Sequence, residues 1–505
     1  MPISSEHDYR IKRLRQALPA AFGESAPLWV AGEWRSGQTT MPTIDPSTGE
    51  PLMDIVVATE AEVDIAVEAA QTAVGIWWQM DGQDRARILR RTADSIRESR
   101  AHLGLLDTLD AGRPIRDTVA RDAERAARLF EFFAGLTDRL RGATVPVQPG
   151  RSNHLNLEPY GIVGAIIPWN YPLTNAAGKI APALATGNAV IVKPAEQSPL
   201  SALLLAHLVH EAGLPGGLLS VLNGLGPVTG DCIARHPAIG KLSFTGSTIV
   251  GRALGGIAGS LLKSITLELG GKSGFVVFGD ADLESAADAL VFSAFNNAGQ
   301  TCTAATRLIV DRTVIERLLG LVRARIELLK IGDALEPDTQ VGPIITAKQR
   351  DRIKDYVEIA EKSGFMRLPF RFSGLPERGF FVEPAIFIDV DPVAPIAQEE
   401  VFGPVVTVEQ FSDEDEALSL ANGTNYGLAT SLWTDSLTRV QRLVPRIQSG
   451  LVWVNSVHSL YPGSPYGGYK QSGLGVEMGT EAVQQHMRGK SVWIEHARWI
   501  SPWSG

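Results

Sequence analysis

Only two cysteines, Cys232 and Cys302, occur in 505 residues. That excludes a disulfide framework and a cysteine-rich metal centre. The nine histidines show no ligand-like spacing, so no metal site is expected. No apolar run approaches the roughly 20 residues of a membrane span. The longest, such as Ile162 to Pro168, are broken by Gly and Pro and suit buried strands. The N-terminal region lacks a signal peptide's apolar stretch, and Glu6 and Asp8 fit a transit peptide poorly, so a cytoplasmic protein with no membrane partner is expected. Positive charge is also short. A net charge of -9 argues against nucleic acid as a partner. The basic run Arg85 to Arg91 alternates with apolar residues at helical spacing and reads as a solvated helix face. Repeats and low-complexity tracts are missing as well.

What is present is globular: 44% hydrophobic and 20% charged residues rule out a disordered chain. The length exceeds what one core holds, so two or three domains are expected. After the first twenty or so residues, short apolar runs broken by Gly32, Gly37 and the Asp45–Pro51 turn cluster read as a few antiparallel strands. From Thr59 to Arg141 apolar residues recur at three and four, predicting helices divided at Gly112-Arg113-Pro114. From Asn153 to about residue 268, β-branched runs alternate with helix-length segments, which implies a parallel sheet covered on both faces. A second alternating region has strands near 275–279, 307–311, 405–411 and 450–455, with helices over Leu283–Asn297 and Arg312–Leu329. Strand-like pieces near 145–157 and 490–497 lie outside both lobes and suggest an arm that pairs with another subunit.

The segment GLGPVTG, Gly224 to Gly230, looks like a dinucleotide-binding glycine loop, but its glycine spacing is wrong and a strand-to-helix turn is the better reading. Cys232, at helical spacing among apolar neighbours, reads as a packed core thiol. Cys302 falls in NNAGQTCTAATR between a helix-length run and a strand, where nearby backbone N–H groups favour a thiolate. Glu268 ends a strand in TLELGGKSG, before two glycines that let another group approach the backbone. Asn170, in IIPWNYP, sits in a turn made rigid by flanking prolines, which suits a preorganised donor to an oxyanion.

With KPAE (193–196), FTGS (244–247), EEVFGP (399–404) and the GGYKQSG loop (467–473), these motifs resemble the aldehyde dehydrogenase superfamily over nearly the whole chain. Glu268 precedes Cys302 by the spacing that the family pattern requires. The resemblance implies an α/β fold of two Rossmann-like parallel-sheet lobes with a small β oligomerisation arm. A cofactor-binding domain would span 1–144 and 158–268, a catalytic domain 269–478, and the arm 145–157 and 479–505. It further implies Cys302 as nucleophile, Asn170 and the Cys302 main-chain N–H as oxyanion donors, Glu268 as the base that activates water, and Lys179 as a proton-relay residue. Lys193 and Glu196 would hold the adenosine ribose, where a carboxylate repels a 2′-phosphate. NAD is therefore expected, with NADP left open. Gly246 and Ser247 would face the phosphates at a helix start. Glu400 and Phe402 would position the nicotinamide side, with Ile167 and Trp169 in the same cleft. A homodimer or homotetramer is implied.

The chain departs from the family where simple-aldehyde enzymes line their entrance with aromatics. Those positions fall on Tyr171, Asn175, Gly178, Asn296, Leu460 and Tyr466, of which only the two tyrosines are aromatic. A wider, more polar tunnel and a bulky or polar substrate are expected. His458 is a candidate substrate contact or a solvent-facing loop residue. Arg125 is either a partner for a semialdehyde carboxylate or an exposed helix arginine. A CoA-acylating enzyme is the nearest rival, disfavoured by Glu268. Ester hydrolysis is a side activity, and a non-catalytic relative is disfavoured by the presence of Cys302, Glu268 and Asn170.

Overall fold

The computed structural model describes residues 3–371 and 374–503. The centre of its first sheet is five parallel strands, in spatial order Ser264–Glu268, Lys241–Thr245, Ile162–Ile166, Ala189–Lys193 and Leu219–Val221. Every residue of Ile162–Ile166 and Ala189–Lys193 is buried, because helices such as Glu60–Gln79 and Pro172–Ala185 pack against them. The segment expected to hold antiparallel strands supplies the hairpin Leu28–Val30 and Glu33–Arg35 at one edge. Helices follow from Glu60 to Ala134, broken at Gly112 in the left-handed conformation.

The opposite edge corrects the sequence reading. Gly473–Leu474, within the stretch assigned to the second lobe, pairs antiparallel with Leu267 and Glu268 of the first sheet. An open strand edge presents unpaired N–H and C=O groups, and the distant chain satisfies them. The second sheet runs Met366–Arg367, Ala385–Ile388, Val405–Phe411, Ala305–Asp311, Ser273–Val277, Ala429–Trp433 and Leu451–Val454, parallel except for its first strand. Ala385–Ile388 and Ala429–Trp433 were not among the expected strands. The helix expected over Leu283–Asn297 stops at Phe295, since Asn297 and Ala298 both take φ +53°. That over Arg312–Leu329 is confined to Ile315–Ile326.

The arm has three antiparallel strands rather than two: Ala143–Val145, Arg151–Pro159 and Met487–Glu495. Leu155, Trp493 and Ile494 stand exposed on it. The helix Glu481–Gln485, just before the last of these strands, instead buries Ala482 and Val483 in the core of the first lobe.

Ile162–Ile166 lies between the strand that follows it and Lys241–Thr245. Connections therefore leave its carboxyl end in opposite directions, the point at which open α/β sheets form a ligand crevice. The chain leaving Glu268 enters Ser273–Val277 of the second sheet after only four residues. The carboxyl end of one sheet thus abuts the amino end of the other.

Candidate active site

A cavity of about 300 Å³ occupies this junction. From the first sheet's carboxyl ends come Trp169, Asn170 and Tyr171 after Ile162–Ile166, Gly246 and Ser247 after Lys241–Thr245, and Glu268 itself. From the second sheet's amino ends come Cys302, just ahead of Ala305–Asp311, and Glu400 and Phe402, ahead of Val405–Phe411. Asn175, His458 and Tyr466 complete the expected lining.

Cys302 is held from two sides. Tyr466 Oη lies 3.1 Å from its Sγ. A Cβ on Gly271 would stand 2.5 Å from its carbonyl oxygen, so only glycine lets the two chains pass this closely. The expected thiolate is a correction. Burial pushes the Cys302 thiol up to about 11, Tyr466's hydrogen bond opposes this, and the charges of Glu400 and Glu268 add to it. Nearby N–H groups do not outweigh burial and two carboxyl groups.

Asn170 is buried, and its Nδ2 donates to Gln300 O at 3.0 Å. An amide nitrogen carries two hydrogens, so one anchors the side chain and the other stays available for an oxygen in the cavity. Behind it, Arg113 pairs with Asp122 at 2.7 Å and places its guanidinium 3.8 Å over the Tyr171 ring. Asn297 Nδ2 donates to the Asn170 carbonyl at 3.0 Å. Neither Arg113 nor Asn297 was singled out from the sequence. Arg113 was seen only as part of a helix break.

Glu268 is buried, and neither carboxyl oxygen has a hydrogen-bond partner among the described residues. Burial, then the charge of Glu477, holds its pKa well above the ordinary carboxylate range, with Lys179 opposing. Lys179 lies behind the cavity wall, where its Nζ donates to Glu477 and, at 3.0 Å, to Ser243 Oγ. Glu477 was missed from the sequence. It sits 298 residues from Lys179 and carries no local motif.

On the cofactor side, Ser247 caps the helix Thr248–Ser260 by accepting from Val250 N. The buried hydroxyl of Thr245, beside this helix start, lacks a hydrogen-bond partner among the described residues. A helix N-terminus with an unpaired hydroxyl beside it fits a phosphate-bearing ligand. Lys193, outside the lining, donates to Gly224 O at 2.6 Å and lies 3.5 Å from Glu196. Burial pulls its pKa down, and Glu196 opposes. The GLGPVTG segment is a strand-to-helix turn: a single wide helical turn, Gly226–Gly230, leads into the helix Asp231–Arg235. Cys232 packs half-buried against the first core. Ile167 is buried and its N–H donates to Lys193 O at 3.1 Å. Glu400 accepts from Gly271 N at 3.0 Å, and burial raises its carboxyl to about 7. Phe402, at φ +59°, meets the edge of Trp169 at 5.3 Å.

On the substrate side, Asn296 corrects the expected tunnel lining. It stands outside the cavity wall and donates to Tyr171 Oη at 3.2 Å, because the helix end at Phe295 turns its side chain behind that ring. Tyr171 Oη also lies 2.9 Å from Thr301 Oγ1. His458 is no solvent-facing loop residue. Ser293 Oγ lies 2.8 Å and Thr303 Oγ1 3.2 Å from its ring nitrogens. Burial pushes it down to about 4, so it is neutral at pH 7.

The model of the aldehyde dehydrogenase family matches residues 34–492. The betaine aldehyde dehydrogenase of Brucella melitensis is 41% identical over 468 residues, covering 92% of this chain and 95% of that protein. Among solved structures, the NAD+ complex of aldehyde dehydrogenase from Bacillus cereus has 36% identity and a TM-score of 0.92, over 95% of this chain and 99% of that one. Betaine aldehyde dehydrogenase from Staphylococcus aureus, solved with NAD+, has 33% identity and a TM-score of 0.93, covering 99% of each chain. No helix among the described residues is long and apolar enough to cross a membrane. A family match over most of the chain, on a cavity that gathers Cys302, Glu268 and Asn170, means that this chain belongs to the aldehyde dehydrogenase family.

Proposed function

We propose that the protein oxidises a polar or bulky aldehyde to its carboxylic acid with NAD, through a covalent bond to Cys302. The observation that carries this reading is one cavity lined by a thiol, a buried amide with a spare N–H and a carboxyl group without a hydrogen-bond partner. The Cys302 thiol, protonated at rest, first gives up its proton to solvent, and the thiolate Sγ then adds to the aldehyde carbon. The carbonyl oxygen gains the negative charge and takes the second N–H of Asn170, a contact worth about 3 kcal/mol in comparable sites. NAD, when bound, would supply the hydride acceptor, and loss of hydride from the carbon held on Cys302 leaves a thioester. Glu268, as carboxylate, then removes a proton from water, which attacks the thioester, releases the acid and returns the thiol. Glu477 and Lys179 lead that proton away from the cavity. Lys193 and Glu196 hold the adenosine ribose, Ser247 and its helix start the phosphates, and Glu400 and Phe402 the nicotinamide side.

The test is NADH formation with a panel of aliphatic, aromatic, hydroxylated and carboxylated aldehydes, comparing NAD with NADP. Turnover in buffer alone, faster with NAD and with polar aldehydes, is the expected result. Turnover that begins only when CoA is added overturns the hydrolytic role of Glu268.

The exposed Leu155, Trp493 and Ile494 of the arm support pairing with a second subunit in a dimer or tetramer. A monomeric mass by light scattering overturns that part of the reading.

A further inference from the structure

The helix Ala123–Ala134 presents Arg125 and Leu129, one turn apart, to the cavity. Nearby arginines along this stretch have acidic partners. Arg121 reaches Asp117 at 3.5 Å, Arg128 reaches Glu124 at 2.9 Å, and Arg97 clasps Glu124 and Glu131. Arg125 is half-buried and has no hydrogen bond or ion pair among the described residues. The other basic side chains of the lining, and Glu477, are already engaged or uncharged. Arg352 donates to Glu400 O at 2.8 Å, Glu477 accepts from Lys179 and Ser243, and His458 is neutral. A partly desolvated guanidinium without a partner is costly, and it is compensated when an anion supplies two parallel hydrogen bonds.

We infer that Arg125 forms a carboxylate subsite, so that the aldehyde this cavity takes carries a second, anionic end. Its charge acts on both His458 and Tyr466, and Tyr466 touches the nucleophile. Arg125 and Cys302 line the same cavity, so an aldehyde that reaches the nucleophile with one end and Arg125 with an anionic other end is a dicarboxylic semialdehyde. The same charge disfavours a quaternary ammonium aldehyde. This inference rests on the oxidation proposed above.

The test compares kcat/KM for the semialdehydes of succinate, glutarate and adipate with those for butanal, pentanal, hexanal and betaine aldehyde. It uses wild type, Arg125→Met and Arg125→Lys. In wild type at least one semialdehyde exceeds the neutral aldehyde of equal length. Arg125→Met lowers that ratio about 100-fold, and Arg125→Lys restores part of it, as expected when a bidentate contact becomes a point charge. Calorimetric binding of the matching dicarboxylate, weakened in Arg125→Met, gives a readout that is independent of turnover. An unchanged ratio in Arg125→Met, or a wild-type preference for pentanal or betaine aldehyde over every semialdehyde, overturns the subsite while leaving the oxidation standing. NAD reduction with none of the aldehydes overturns the oxidation itself.

Discussion

Cys302→Ala is expected to lose aldehyde-dependent NADH formation, with kcat/KM falling by roughly 10⁴-fold or more, the usual scale for removing a nucleophile. Cys302→Ser should be nearly as inactive. It keeps the size of the side chain, so an unchanged circular dichroism melt in Ser and Ala variants separates chemistry from misfolding. Cys232→Ala is the control. That thiol packs half-buried against the first core, away from the cavity, and its loss should leave turnover within about twofold. The raised pKa of Cys302 adds a pH signature. Only the thiolate alkylates, and burial holds the thiol up to about 11, so in the cofactor-free enzyme its iodoacetamide labelling should keep climbing well above pH 9. A free thiol levels off near its ordinary pKa of about 8.5. A plateau near neutral pH would show a preformed thiolate, and residual turnover above about one per cent in Cys302→Ala would falsify the covalent route.

Glu268→Gln is expected to separate the two halves of the reaction. The amide keeps the shape but cannot take a proton, so the acyl-enzyme forms and then persists. A rapid burst of about one NADH per site should precede a steady rate lowered by roughly 10² to 10⁴. Mass spectrometry of the quenched burst should find Cys302 acylated. In wild type, burial and the charge of Glu477 raise the Glu268 pKa. The working form is the carboxylate, so the hydrolytic rate rises with pH through that raised value and is lost as pH falls through it. Glu268→Gln should be flat over the same range. Loss of the burst together with the steady rate assigns Glu268 to the attack of Cys302 instead. An unchanged steady rate removes it from the mechanism.

Both results depend on distances that no stretch of sequence displays. Local pattern was enough for the helices after Thr59, broken at Gly112, and for the buried runs Ile162–Ile166 and Ala189–Lys193. Side-chain periodicity and turn chemistry are short-range properties and survive without tertiary context. The motifs around Asn170, Glu268 and Cys302 were equally legible, because each is a strand end or turn whose residue types are unusual where they stand. Lys179 and Glu477, by contrast, come together across 298 residues. Tyr466 reaches Cys302 across 164 residues, and its hydroxyl looked from the sequence like part of a tunnel wall rather than a partner for the thiol. Asn296 was placed in that wall as well, and a helix that stops one residue earlier turns it behind Tyr171.

The sequence by itself determined the two-lobed α/β plan and the family, and it singled out the side chains proposed to react, since these follow from local spacing and residue type. The tertiary structure alone decided their protonation, which of them face the cavity, and that Arg125 is left without a partner. Those properties depend on burial and on charges brought close by folding, and both are set by chain segments far apart in sequence.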